Sequence, residues 1–118
     1  MSVRDRTDAE TLFRASEIFE ELGDVRSAFK CIAIGAAGNH GPSQTKFGYM
    51  HSAGIGTKKN RRQAAYWYGK AYRNGQTVAT FNLGMDKKDE GNRGAAIAWF
   101  RKAAARKYGD AFVELAKL

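Results

Sequence analysis

The sequence predicts an all-α fold, a right-handed α/α superhelix of about three antiparallel helix pairs with a capping helix at its C-terminal end. Three observations carry that prediction. Apolar residues recur at three- and four-residue steps, as in Leu12, Ala15, Phe19 and Leu22 or Ala64, Trp67, Tyr68 and Ala71, which aligns them on one helix face. Among 118 residues there is one proline, Pro42, so long stretches are free to be helical. The chain also repeats itself: Ala28 and Ala64, Ser43 and Ala79, and Phe47-Gly48 and Leu83-Gly84 lie 36 residues apart.

A second spacing sharpens the repeat. Trp67-Tyr68 recurs as Trp99-Phe100, each followed by Lys-Ala, at 32 residues. The four-residue difference belongs to one hairpin loop, because Gly48 to Ala64 spans 16 residues whereas Gly84 to Ala96 and Ser16 to Ala28 each span 12. The middle unit is therefore long-looped, the outer two short-looped, and the first unit degenerate.

The elements follow in order. Thr7 with Glu10 reads as a capping box opening a helix over 8–22, and Asp24 caps a second over 25–38. A third runs over 43–53 and a fourth, opened by Asn60 with Gln63, over 61–74. The fifth covers 78–89, the sixth follows the Asn92 cap over 93–107, and the last, capped by Asp110, covers 110–118. Gly48, Ala64, Gly84 and Ala96 are small enough to let paired helices approach closely, and the aromatic residues fill the wedge between pairs. No pair can bury its apolar face alone, so the pairs must stack into a curved rod. Phe112 and Leu115 are expected to cover its end, which would self-associate if left open.

Phe47-Gly48, the Gly54-Ile55-Gly56 loop, Trp67-Tyr68, Lys70-Ala71, Gly75, Ala79 and Asn82-Leu83-Gly84 resemble a Sel-one-like repeat, a relative of the tetratricopeptide repeat. The likeness extends over 43–84 and, less fully, over 85–115. His51 and Lys87 stand where that family usually has a tyrosine. The resemblance implies one domain over 1–118, with repeats at about 8–40, 43–76 and 78–109 and a terminal helix at 110–118, built to bind another protein.

Charge bounds the partner. The formal net charge is +8, yet residues 1–24 carry −4 and the remainder +12, a field that attracts an acidic partner. Cys31 is the only cysteine, so neither an internal disulfide nor a cysteine metal cluster is available, which fits a reducing cytoplasm. The charged N-terminus is unlike a signal peptide, and the apolar run at 31–37 is too short to span a bilayer. We expect no cofactor, no metal, no membrane association, and a monomer or weak homodimer.

In tetratricopeptide-like stacks the first helix of each pair lines the concave side. The repeat register then places Phe13, Glu17 and Glu20, then Thr45, Tyr49 and Ser52, then Phe81, Met85 and Lys88 along one groove. That groove reads as acidic at one end, aromatic with a methionine in the middle and basic at the other, a pattern suited to a peptide or helix. In the alternative reading Phe13, Phe81 and Met85 belong to the core between repeats. The basic run Lys58, Lys59, Arg61 and Arg62 offers a second docking site, or simply a solvated loop.

Other functions find less support. A small immunity or inhibitor protein neutralising a toxin or effector would need only this many repeats, and the basic surface permits non-specific nucleic-acid binding without any recognised motif. Ser27-Ala28-Phe29-Lys30 and Ser43-Gln44-Thr45-Lys46 match the Ser-x-x-Lys spacing of penicillin-recognising enzymes but lack the companion motifs, and capping accounts for both serines. Gly54-Ile55-Gly56 has no preceding strand and is a loop. His40 and His51 lack ligand-spaced partners, His51 takes the place of a packing tyrosine, and Cys31 is expected to be a buried, inert thiol. No catalytic residue is assigned, and the protein is read as a non-enzyme.

Overall fold

The computed structural model describes residues 6–118, with side chains described from residue 8 onward. The Thr7 half of the expected capping box lies outside the described side chains. Seven helices follow one another: α1 (Arg6–Glu21), α2 (Val25–Ala37), α3 (Gly41–Ala53), α4 (Arg61–Arg73), α5 (Thr77–Asp89), α6 (Arg93–Ala105) and α7 (Gly109–Lys117). No strand occurs among the described residues.

Helix starts obey the capping chemistry where an Asx residue stands at the boundary. The Asp24, Asn60 and Asn92 side chains accept from the backbone N–H groups of Ser27, Gln63 and Ala95 at 3.1 Å each. Asp110 departs from expectation. Tyr108 occupies the cap position of α7 and Asp110 sits in its first turn, where its charge complements the helix dipole instead. Neither serine of the Ser-x-x-Lys matches is a cap. Ser27 donates its hydroxyl to Asp24 at 2.7 Å, and buried Ser43 lies 2.7 Å from His40 Nδ1.

The interlock inside each pair follows from the repeat register. A methyl group on Gly48 would sit 2.6 Å from the Tyr68 ring, and one on Gly84 would sit 2.6 Å from the Phe100 ring. Only glycine lets α3 meet α4, and α5 meet α6, across those rings. In the first pair the corresponding positions hold Ser16 and Ile32, both fully buried. The serine satisfies itself by donating to the Phe13 carbonyl at 2.5 Å. Ala28, Ala64 and Ala96 have no exposed surface at all, as the equivalence of the three units requires.

The three hairpin loops differ as the two spacings demand: 22–24 and 90–92 are short, whereas 54–60 is longer by four residues. Gly54 closes α3 in the left-handed conformation, φ 75°, and its N–H bonds the Met50 carbonyl at 2.8 Å. The loop then folds back, with Asn60 N–H donating to the His51 carbonyl at 2.7 Å.

Pairs stack with α2 against α3, α4 against α5 and α6 against α7, giving an elongated body of 43 × 27 × 22 Å. First helices of successive pairs meet directly, α1 with α3 and α3 with α5. Second helices reach one another mainly through long side chains, such as Tyr72 of α4 against Trp99 of α6. The stack therefore curves towards α1, α3 and α5, which form its inner side. At the C-terminal end Phe112 departs from its expected covering role, being 57% exposed, while Leu115 packs on the last core cluster. Leu22, just past the end of α1, is 74% exposed.

Candidate partner-binding surfaces

The inner surface is built from the register positions that flank the buried Phe47 and Leu83. Tyr49 stands out from it, 52% exposed, in the middle of the stack. Phe13, Phe81 and Met85 are half-buried and combine both readings of the sequence. Phe81 rests on Phe100 and Tyr108 at ring separations of 5.5 and 5.0 Å, Met85 packs on the same cluster, and Phe13 meets His40 edge-on at 6.0 Å. Each is thus partly in the core and partly at the surface. Thr45 is half-buried too, its hydroxyl donating to the Gly41 carbonyl at 3.3 Å.

Three of the charged and polar members are tied down rather than free. Glu20 pairs with Lys46 of α3 at 2.7 Å, Ser52 donates to Asp86 of α5 at 2.8 Å, and Lys88 pairs with Glu114 of α7 at 2.7 Å. Each bridge joins one first helix to the next. At the C-terminal end Glu114 offsets the Lys88 charge and also meets Lys117 at 3.1 Å. These two ammonium groups hold the Glu114 carboxyl below the usual glutamate range. Near the N-terminal end, Phe13 and Glu17 line a cleft of about 390 Å³ together with Glu10, Arg14, His40 and Pro42.

A buried polar cluster lies beneath the middle of the groove. Asp86 is 9% exposed; burial raises its pKa, although Ser52 and Arg61 oppose the shift. One carboxylate oxygen takes the Ser52 hydroxyl and the other has no partner, and Arg61 Nε is likewise buried and unpaired. Asp86 was not legible as a groove residue, since the register aligns it with buried Met50. The available signal was a charge in an apolar slot.

His51 and Cys31 behave as packing residues. His51 sits edge-on to Phe47 and Phe29 at 4.6 and 5.6 Å, and burial lowers its pKa. The expectation of a buried Cys31 needs correcting. It is half-buried, as are Trp67 and Trp99 at the equivalent positions, which pack on the edges of the core clusters; partial burial nonetheless pushes the thiol pKa up.

The second helices build a different surface. Lys70 lies over Tyr66 and Trp67 at 5.5 and 5.4 Å, and Lys102 over Tyr72 and Trp99 at 5.9 and 5.8 Å. Of the basic run, Lys58, Lys59 and Arg62 are exposed, whereas Arg61 turns in towards Asp89 at 3.8 Å. The four cations thus do not form one patch.

A model of the Sel1 repeat matches residues 41–76 and 78–108, more than half of the chain. The chain belongs to the Sel1-repeat family. Two solved structures of Sel1 type are similar over nearly its whole length. A Sel1 repeat protein from Oxalobacter formigenes is 26% identical with a TM-score of 0.77, covering 94% of this chain and 90% of that one. A protective antigen of uropathogenic Escherichia coli displaying the same fold is 28% identical with a TM-score of 0.80 over 92% of this chain. This chain spans 25% of that antigen's length. No curated protein sequence matches. The Sel1 fold is commonly a protein-interaction module and typically a non-enzymatic scaffold. No helix among the described residues is long and apolar enough to cross a membrane.

Proposed function

We propose that this Sel1-repeat chain is a non-enzymatic adaptor whose inner groove holds a segment of a partner protein. The observation that supports it most is the exposed Tyr49 ring, standing between half-buried Phe13 on one side and Met85 and Phe81 on the other. Aromatic and methionine side chains on a rigid floor supply large contact area at small entropic cost. The three bridges from Glu20, Ser52 and Lys88 hold α1, α3, α5 and α7 in register, so the groove is ordered before a partner arrives. An immunity or inhibitor protein would use the same face, differing only in what it holds.

The test is affinity purification from the native cell under reducing conditions, followed by titration of the recovered protein. Changing Tyr49→Ala and Met85→Ala together should weaken that protein's binding at least tenfold, because two central anchors are lost. Unchanged affinity would rule out the groove. Loss on reversing Lys58, Lys59 and Arg62 would move the site to the loop.

A further inference from the structure

The three second helices, α2, α4 and α6, carry nine Arg and Lys residues between them and not one Asp or Glu. The four first helices carry six basic and nine acidic residues. Nine of the twelve net positive charges after residue 24 are thus carried by the second helices. Of the nine outer cations only Arg61 meets a side-chain carboxylate among the described residues, at 3.8 Å. Arg93 instead donates to the Leu118 carbonyl. Arg26, Lys30, Arg62, Arg73, Arg101 and Lys102 stand exposed. A surface of one sign along an elongated body concentrates its field on a long, flexible polyanion.

Rings are interleaved with those cations. Tyr66 is 54% exposed beside Lys70, and Tyr72 and Trp99 meet edge-on at 5.7 Å between α4 and α6. Arg106 lies over Tyr72, 4.1 Å from the ring centroid, and both terminal nitrogens donate to the Tyr72 carbonyl at 3.3 Å. Stacking faces alternating with cations are what a strand of phosphates and unpaired bases requires. A carboxylate-rich peptide would use the cations and leave the rings idle. We infer that the outer face formed by α4 and α6, extended by α2, binds single-stranded nucleic acid, independently of the inner groove.

The test is fluorescence anisotropy of a labelled oligouridylate of about twenty nucleotides at roughly 0.15 M salt, the length and ionic strength at which screening no longer lets scattered surface charge suffice. Saturable binding is expected, with log K falling linearly against log salt. The triple change Arg73→Gln, Arg101→Gln and Lys102→Gln, all at exposed positions, should weaken it at least tenfold and reduce the salt slope by about two. Tyr66→Ala should cost about fivefold or more through lost stacking, while Tyr49→Ala with Met85→Ala should change nothing. Circular dichroism checks that each variant remains helical. The inference is overturned by absence of saturable binding, by a triple variant as tight as the original chain, or by an unaffected Tyr66→Ala. Equal displacement by polyglutamate would also overturn it, marking the surface as one for acidic protein.

Discussion

The two sides of the stack solve the problem of surface charge in opposite ways. On the inner side polar bridges join successive first helices, Glu20 to Lys46, Ser52 to Asp86 and Lys88 to Glu114. On the outer side only Arg61 meets a carboxylate among the described residues, and Lys70 and Lys102 lie over rings instead, Lys70 over Tyr66 and Trp67. Between the two runs an apolar seam of glycine against ring that belongs to neither surface. The difference teaches that one repeat unit separates three tasks by helix face: packing at the seam, register on the inner side, and net charge on the outer.

The largest expected effect comes from breaking the seam, which should disturb both sides at once. Phe100→Ala removes a fully buried ring and should cost about 3–5 kcal/mol of unfolding free energy. Gly84→Ala drives a methyl into that ring and should cost about 1–3 kcal/mol. Urea titration followed by circular dichroism measures both, and a neutral Gly84→Ala would show that α5 and α6 do not interlock there.

A smaller effect separates two inner bridges by the sign of their pH dependence. Glu114 has a lowered pKa, so its contribution is present above the ordinary glutamate value of 4.5 and is lost as pH falls through that region and below. Asp86 has a raised pKa, so the folded chain holds its proton more tightly than the unfolded one. Its stability is therefore greatest below the ordinary value of 3.8 and declines as pH rises through the raised one. Glu114→Gln should be less stable than the original chain at neutral pH and equal to it in acid. Asp86→Asn should be more stable at neutral pH and equal in acid. Thermal melts at several pH values distinguish the two, and a common sign would contradict the assigned environments.

The smallest effect belongs to the outer side. Lys102→Met keeps the aliphatic stem over Tyr72 and Trp99 and loses only the charge, so it should cost no more than about 1 kcal/mol, less in high salt. A larger loss in urea titrations would mean that the outer cations hold the fold as well as charging it.

Much of this was legible because a repeat reports each position several times. The four-residue difference between the two spacings located the long loop before any geometry was known, and the 36- and 32-residue steps identified Gly48 and Gly84 as the close-approach points. The illegible part lies where a position departs from its counterparts. Asp86 fills the slot of Met50, and nothing in local periodicity says that Ser52 and Arg61 converge on it from the neighbouring pair. Lys88 reads as a free groove cation because its partner Glu114 is 26 residues away. Net charge as a single number hid its division between helix faces, which appears only when residues are sorted by first and second helix.

Site-specific photo-crosslinking in the native cell compares the two sides most directly. A photoreactive phenylalanine analogue at Tyr49 reports the inner groove, and the same group at Arg73 reports the outer face. The account predicts a discrete protein crosslink from position 49 that is absent from position 73. Protein crosslinks from position 73 alone would contradict it.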